Sequence, residues 1–268
     1  MKKRYSVFII FLASLFSSCE KFEYSPYQDD VPGETPHDLN NRNIDKLLSN
    51  TVDDDTVTII YAGDSQRFYD RLEDLVAKVN TYPDVDFFVL CGDIADFGVL
   101  QEYIWINDRL KKLDKPYMCV IGNHDLSADN GHIFTKVFGE KNFSFTYKKH
   151  KFLFHDTNGR EYNFNGKVPD IGWLQTQLND PEPDWFVGLS HVPPYDVDFD
   201  PAVEMPYAHL WASDPRFLLS LHGHLHTESD SYFYNDGVHY MTCNSVKKSE
   251  VIMLKFINGQ VITKVIPY

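Results

Sequence analysis

Short apolar runs rich in β-branched and aromatic residues recur along this chain and predict buried β-strands. Five of them lack a clean alternation of apolar and polar positions, which is typical of strands buried on both faces. These runs are Thr56 to Ala62, Asp86 to Cys91, Tyr117 to Ile121, Trp185 to Ser190 and Phe217 to Leu221. They favour an α/β fold.

Amphipathic helices and hairpins are predicted between and after these runs. Apolar residues recur at helical spacing over Gln66 to Asn80 and Val99 to Leu113, as expected for crossover helices with one face on the core. Later segments predict a hairpin, a helix and a terminal hairpin: Phe143 to Tyr147 with Lys151 to His155, Ile171 to Leu178, and Val251 to Phe256 with Gln260 to Ile266. One domain, residues 51–268, accounts for all of these elements.

Each of the five predicted strands leads into a potential metal ligand. The residues concerned are Asp64, Asp93, Asn123, His191, and the pair His224 and His226. Ligands of α/β sheets gather beyond the carboxyl ends of the strands, so these side chains have a common place to meet. The alternative is ordinary turn chemistry, in which an Asp or Asn after a strand bonds the backbone. Five such ends, with three histidines among them, favour a metal site.

The residue types indicate a hydrolytic site with two divalent cations. Carboxylate, amide and imidazole donors without a thiolate suit Mn²⁺, Fe²⁺ or Zn²⁺. In an extended segment His224 and His226 point the same way, so one loop could present an imidazole to each of two ions. A carboxylate such as Asp93 could bridge ions about 3.5–4 Å apart, the spacing at which a shared hydroxide is a nucleophile near neutral pH. The implied reaction is in-line displacement at phosphorus.

From about Val57 to His226 the sequence resembles the calcineurin-like metallophosphoesterases and carries their motif order in full. The matching blocks are Gly63-Asp64-Ser65-Gln66, Gly92-Asp93-Ile94-Ala95-Asp96, Gly122-Asn123-His124-Asp125, Ser190-His191 and Gly223-His224-Leu225-His226. The resemblance implies a four-layer αββα sandwich of two packed mixed β-sheets flanked by helices, with a dinuclear metal centre at the strand ends. It implies two ligand sets, one of Asp64, Gln66, Asp93 and His226 and the other of Asp93, Asn123, His191 and His224.

Two residues of the matching blocks resemble catalytic residues that are not ligands. His124 is similar to the family's histidine that protonates the leaving oxygen or stabilises the developing charge. Asp96 resembles the carboxylate that orients this imidazole and raises its basicity. The alternative for Asp96 is an N-cap of the predicted helix that follows, and the two roles are compatible.

Gln66 departs from the commoner pattern, in which many members of the family have histidine two residues after the first aspartate. An amide oxygen is a weaker ligand than an imidazole and does not neutralise charge. The first metal site is therefore expected to be weaker, harder in its metal preference or partly filled by water. Some members carry Gln here, which favours an active subgroup over an inactive site kept for binding.

Several other side chains near the motifs have a structural explanation that competes with a functional one. His222 precedes Gly223 but falls outside the motif, and a hydrogen-bonded structural role is favoured. The segments Thr157 to Pro169 and Val192 to Pro215 are predicted loops whose aromatic residues either stack on a substrate or pack the loops. Phe97 stands where the protein Ser/Thr phosphatases of the family have a phosphate-clamping arginine, which disfavours a phosphoprotein substrate.

The N-terminus predicts export. Basic residues 2–4 precede an apolar stretch from Tyr5 to Phe16, which is shorter than the roughly 20 residues that span a bilayer. The small residues Ser17 and Ser18 then precede Cys19, as in a bacterial lipoprotein signal, with cleavage before Cys19 and lipid on its thiol. An ordinary secretory signal is the alternative. Residues 19–50 are polar and are predicted to be a tether from the membrane of the cell envelope to the domain.

Net charge and cysteine content narrow the partners. The chain carries a formal charge of −14, and loss of the three basic residues of the signal takes it to −17, because no acidic residue precedes Cys19. Such a surface disfavours nucleic acid. The three cysteines after Cys19 do not predict a disulfide framework. We therefore expect a small phosphoester substrate, with a phosphodiester or nucleotide favoured. The alternatives are a phosphomonoesterase and a surface lipoprotein that uses the fold to bind a ligand without catalysis.

Overall fold

The computed structural model describes residues 35–50 and 54–268. Its strands are β1 (Thr56–Ala62), β2 (Phe87–Cys91), β3 (Tyr117–Val120), β4 (Phe143–Tyr147), β5 (His150–Phe154), β6 (Trp185–Leu189), β7 (Phe217–His222), β8 (Ser229–Ser231), β9 (Tyr240–Thr242), β10 (Glu250–Ile257) and β11 (Gln260–Pro267). Its α-helices are α1 (Leu39–Ser49), α2 (Tyr69–Val79), α3 (Leu100–Leu110), α4 (His132–Phe138), α5 (Ile171–Leu178) and α6 (Glu204–Ala212).

The strands form two mixed sheets. The first has the order β11-β10-β1-β2-β3, in which β1, β2 and β3 are parallel and β10 runs antiparallel to β1. The second has the order β4-β5-β6-β7-β9-β8, in which β5, β6, β7 and β9 are parallel. Each sheet therefore contributes neighbouring parallel strands that end at one edge.

Three apolar layers hold the two sheets and the helices together. In β1 the alternation decides the layer, because Ile59 and Tyr61 face the second sheet whereas Ile60 and Ala62 face the helices. Helices α2, α3 and α4 cover the outer face of the first sheet, and α5 and α6 cover that of the second. The predicted αββα sandwich is confirmed.

Helix α2 begins later than the apolar spacing predicts. The backbone of Gln66 is left-handed, with φ of 38°, so the helix cannot extend back to it. The helix instead starts at Tyr69, after a turn in which Phe68 N–H donates to the Ser65 carbonyl at 2.8 Å. The loop before α2 also carries Asp64, so the late start of the helix leaves this segment available to form the site.

Helix α1 corrects the predicted tether, which was wrong for residues 39–49. Leu39 and Leu47 are buried against the sandwich. The Asn40 side chain accepts from Cys119 N–H at 2.8 Å and donates to its carbonyl at 3.0 Å, and Asn43 accepts from Tyr117 N–H at 3.2 Å. Polar composition suggested a tether here, but these amides bond the edge of β3. Residues 19–34 of the predicted tether and the predicted signal lie outside the described residues.

Candidate metal centre

Asp64 follows β1 directly and is joined by backbone hydrogen bonds to the loop after β2. Its N–H donates to the Gly92 carbonyl at 3.0 Å, and Gln66 N–H donates to the Asp93 carbonyl at 3.0 Å. The Asp64 carboxylate is fully buried, and neither oxygen has a hydrogen-bond partner among the described residues. His226 Nε2 lies 3.0 Å from Oδ1 but outside hydrogen-bond geometry. A buried carboxylate that accepts no hydrogen bond is costly, and a divalent cation at this position would satisfy it.

Asp93 lies at the centre of the site and faces groups on both sides. Its Oδ1 accepts from the backbone N–H of His124 at 3.0 Å and lies 3.2 Å from His191 Nε2. Its Oδ2 accepts from Gln66 Nε2 at 3.3 Å. This carboxylate contacts members of both ligand sets implied by the sequence, as a bridging ligand must.

Asp93 and His191 form a buried ion pair. Burial raises the pKa of Asp93, but the neighbouring His191 and His124 outweigh it and hold this pKa below its usual range. Burial likewise lowers the pKa of His191, but the charge and hydrogen bonding of Asp93 outweigh it and raise this pKa above its usual range. A cation that took the His191 Nε2 lone pair would displace this proton, so metal uptake here releases acid.

Asn123 brings the remaining imidazoles together. Its Oδ1 lies 3.2 Å from His191 Nε2 and 3.1 Å from His224 Nδ1. The two rings are 5.2 Å apart and nearly perpendicular, at 79°. His191 Nδ1 lies 2.8 Å from the Cys91 carbonyl, which leaves Nε2 to face the site.

The structure thus brings all seven predicted ligands to one edge of the sandwich, and five of them have left-handed backbones. Their φ angles are 57° for Asp64, 38° for Gln66, 51° for Asp93, 67° for His224 and 53° for His226. Such conformations cost energy in residues other than glycine and cluster at functional sites. Five of the fourteen residues other than glycine with a positive φ in the described part of the chain are therefore candidate ligands.

Two glycines permit the close approach of the loops. A Cβ on Gly122 would lie 2.0 Å from the Asp93 backbone nitrogen. A Cβ on Gly92, whose φ is 80°, would lie 2.2 Å from His191 Nδ1. Gly92 and Gly122 are therefore needed for the close approach of these loops, and Gly92 also for its left-handed backbone.

His124 lies beside the ligands, and the backbone of Asp96 orients it. His124 Nδ1 is 2.7 Å from the Asp96 carbonyl oxygen, whereas the Asp96 carboxylate lies 3.7 Å away. That carboxylate accepts instead from Arg67 Nη1 at 3.0 Å. Among the described residues, Asp96 does not cap α3, which starts after Val99. The carbonyl fixes a proton on Nδ1 and leaves Nε2, 3.9 Å from Asp93 Oδ2, for a substrate.

Asp125 was missed as a functional residue, although it is the fourth residue of the Gly122 motif. It is fully buried, and Oδ2 accepts from Ile94 N–H at 3.1 Å and Gly122 N–H at 2.9 Å. Oδ1 accepts from Ala95 N–H at 2.9 Å and the Tyr103 hydroxyl at 3.1 Å. Its carboxylate joins the loops after β2 and β3, and its place in the motif was the available signal.

Other side chains that the sequence left with two possible roles are packed in the interior. His222 is fully buried with Nδ1 2.9 Å from Ser190 Oγ, so it is not among the clustered ligands. The predicted loop from Val192 to Pro215 contains helix α6, whose Tyr207 and Trp211 are buried in the outer core. The sequence also gave no sign of Asp196 and Asp198, which lie beside His224.

Two remaining features concern the membrane and the thiols. Within the described ranges, we find no helix of sufficient length and apolar character to cross a bilayer. Cys19, the predicted lipidation site, lies outside these ranges.

Cys91, Cys119 and Cys243 are buried free thiols, and burial raises the pKa of Cys119 and Cys243 well above the usual range.

Residues 57–228 match the family model described as calcineurin-like phosphoesterase. This match covers more than half of the chain, so the chain belongs to the calcineurin-like phosphoesterases, a metal-dependent family of hydrolases that act on phosphoester bonds. The resemblance drawn from the motifs is confirmed.

A curated relative is a probable cyclic nucleotide phosphodiesterase of Xenorhabdus bovienii. It is 26% identical over 97 residues, which cover 35% of this chain. The match spans about a third of that relative's length, 33%.

Solved structures share the fold at low sequence identity. A dimetal phosphatase from Danio rerio is 14% identical with a TM-score of 0.61, and the match covers 78% of this chain and 95% of that one. A purple acid phosphatase from seeds of yellow lupin, Lupinus luteus, is 11% identical with a TM-score of 0.63, over 79% of this chain and 51% of that one. GAP50, described as the anchor in the inner membrane complex of Plasmodium, is 15% identical with a TM-score of 0.59, over 79% and 84%.

Proposed function

We propose that this protein is a dinuclear metal-dependent phosphohydrolase that cleaves a small phosphodiester or nucleotide. The observation that carries the proposal is the position of Asp93 between two groups of donors, next to the buried carboxylate of Asp64, which accepts no hydrogen bond among the described residues. Asp64, Gln66, Asp93 and His226 would hold one divalent cation, and Asp93, Asn123, His191 and His224 the other. Mn²⁺, Fe²⁺ or Zn²⁺ suit these donors.

Bound there, the two cations would supply a nucleophile from water near neutral pH and polarise the phosphoryl oxygens. The chain itself supplies a positioned acid. Protonated on both ring nitrogens, His124 donates its Nε2 proton to the leaving oxygen as the bond between phosphorus and that oxygen breaks, and it keeps the proton on Nδ1. The new bond to the attacking oxygen forms on the opposite side. The Asp96 carbonyl, 2.7 Å from Nδ1, keeps the ring in the orientation this requires.

A diester substrate is favoured over a monoester by two considerations. Phe97 is 62% exposed where a phosphate-clamping arginine would stand in the protein phosphatases of the family. The name of the curated relative, a probable cyclic nucleotide phosphodiesterase, points the same way. A phosphomonoesterase is the second candidate, and the exposed Arg67 beside Asp96 supports it, because a guanidinium there could bind a dianionic phosphate.

Hydrolysis of bis-p-nitrophenyl phosphate and p-nitrophenyl phosphate by metal-loaded protein tests the proposal. We expect the diester to be cleaved faster, Asp93→Asn to lose both metal and activity, and His124→Gln to keep its metal while losing about 10²–10⁴-fold in kcat. Asp214→Asn removes a carboxylate paired with an arginine away from the site and is the matched control. Full metal loading without turnover of either ester, or of a panel of nucleotides, would instead support a binding protein.

We further propose that the protein is exported and anchored through lipid on Cys19. The support is the order of basic residues, apolar stretch and small residues before Cys19. Metabolic labelling with a radioactive fatty acid should mark the wild-type chain and leave Cys19→Ala unlabelled. Equal labelling of both chains would reject the anchor.

A further inference from the structure

The ring nitrogen of His224 that points away from the proposed metals faces two carboxylates. His224 Nδ1 lies 3.1 Å from Asn123 Oδ1, on the side of the ligands. Nε2, on the opposite side of the ring, lies 3.4 Å from Asp196 Oδ1 and 3.5 Å from Asp198 Oδ2. Both carboxylates come from the segment after β6 and do not belong to any of the five motif blocks.

This segment is held in place by a neighbouring loop. Asp198 N–H donates at 2.9 Å to Asp196 Oδ1, the oxygen that faces His224 Nε2. Arg160 donates to Asp198 twice, from its backbone N–H to the carbonyl at 3.0 Å and from Nη1 to Oδ1 at 2.7 Å. The Asp196 and Asp198 side chains are only 19% and 14% exposed. The two carboxylates therefore lie beside the ring at ion-pair distance from Nε2, without a hydrogen bond to it.

We propose that Asp196 and Asp198 are positioning residues that hold His224 by its Nε2–H group and so turn the Nδ1 lone pair toward the second metal. This inference rests on the proposed function, because His224 is a ligand only if that metal binds. Arg160 supports this arrangement because its guanidinium donates to Asp198 Oδ1, so that Oδ2 is left to face the imidazole.

The chemistry of the ring requires such a partner. A neutral imidazole binds a cation through one nitrogen and carries its proton on the other, and a carboxylate at that second nitrogen fixes the tautomer and raises the basicity of the first. The ligand set that includes Asn123 has only one carboxylate, the shared Asp93. Two more carboxylates beyond His224 add negative charge on the side of the second metal without occupying a coordination position.

Metal titration of the whole protein with Mn²⁺ tests the inference. Wild type should bind two ions, and the double variant Asp196→Asn/Asp198→Asn should bind one of them about 10- to 100-fold more weakly while the other is unchanged. Asp214→Asn is the matched control, because Asp214 is 13% exposed and paired with Arg216, as Asp198 is with Arg160. The single variants should show smaller losses of affinity and replace the double variant if it does not fold, as judged by thermal denaturation.

A second measurement does not depend on activity. ¹H–¹⁵N spectra of the Zn²⁺-loaded protein detect the Nε2–H proton of His224, with its signals identified by their loss in His224→Gln. We expect this proton to exchange slowly with water in wild type and in Asp214→Asn, and faster in the double variant. Equal exchange rates in the three proteins would overturn the inference.

The outcomes separate this inference from the proposed function. Unchanged affinity for both ions in the variants overturns the role of Asp196 and Asp198 while a working phosphohydrolase stands. A third ion, lost in the double variant, would make these residues ligands and also overturn it. Two bound ions without hydrolysis reject the proposed function alone, and fewer than two ions in wild type reject both.

Discussion

Asp125 offers a sharp test of what fixes the two central loops of the site. Asparagine has nearly the size of aspartate but only one acceptor oxygen. If its NH₂ group replaces Oδ2, it meets the N–H groups of Ile94 and Gly122, and two donors lose their acceptor. If it replaces Oδ1, it meets Ala95 N–H and the Tyr103 hydroxyl, which can rotate to accept. The second orientation is cheaper and leaves one backbone donor without a partner.

The expected cost follows from that count. One buried N–H without an acceptor costs about 1–3 kcal/mol of unfolding free energy. The loss falls on the loop that carries Asp93, two residues before Ala95, so metal geometry should suffer as well. Because small displacements of reacting groups reduce rates strongly, we expect Asp125→Asn to lower kcat/KM by at least about tenfold.

Urea unfolding of the metal-free protein and phosphodiester hydrolysis by the loaded protein measure the two effects. Tyr103→Phe is the control, because it removes one hydrogen bond to the carboxylate and leaves the three from backbone N–H groups. It should cost about 1 kcal/mol and leave metal affinity unchanged. If Asp125→Asn behaves like Tyr103→Phe in stability, metal affinity and rate, the carboxylate does not hold the loops together.

Three further predictions concern single side chains. Gln66→His should tighten one metal without abolishing turnover, and unchanged metal affinity and stoichiometry would show that Gln66 is not a ligand. Burial lowers the pKa of His155 to about 4. Below about pH 6.5 the folded state therefore binds fewer protons than the unfolded chain. The free energy of unfolding should fall by about 3 kcal/mol as the pH drops towards 4. Urea unfolding of metal-free His155→Gln should lack this part of the pH dependence, and an identical pH profile would contradict it. Asp86→Ala should cost about 2–4 kcal/mol, because among the described residues the nearly buried Lys148 then keeps only Asp54 as a carboxylate partner. Asp86→Ala/Lys148→Met should recover part of the loss in thermal unfolding, and a further loss in the double variant would contradict this expectation.

The strands and the positions of the candidate ligands that follow them were predictable because both have local signals. A buried parallel strand is a run of apolar residues, and the carboxyl ends of such strands lie at the same edge of the sheet. The seven candidate ligands were identified from the motifs, and the structure places their side chains together. Even Gln66, the irregular member, lies where the motif order puts it, with its amide 3.3 Å from Asp93.

The parts that escaped prediction depend on partners far away in sequence. Helix α6 has Pro206 in its first turn, and its sequence lacks the polar face that marks a helix at a surface. Its Tyr207 and Trp211 are buried. Asp196 and Asp198 become relevant only because His224 folds against them. Residue types in a loop do not reveal which ring will lie beside them.

The asparagines of α1 also set where the folding unit begins. The match to the family starts at residue 57, yet the backbone of β3 at Tyr117 and Cys119 is satisfied by Asn43 and Asn40. A chain shortened to begin at Thr56 would leave this strand with an open edge and uncover the apolar surface that Leu39 and Leu47 protect. Open edges of this kind recruit strands from other molecules. The smallest soluble form of this protein should therefore include α1, and trimming to the family boundary should yield aggregates.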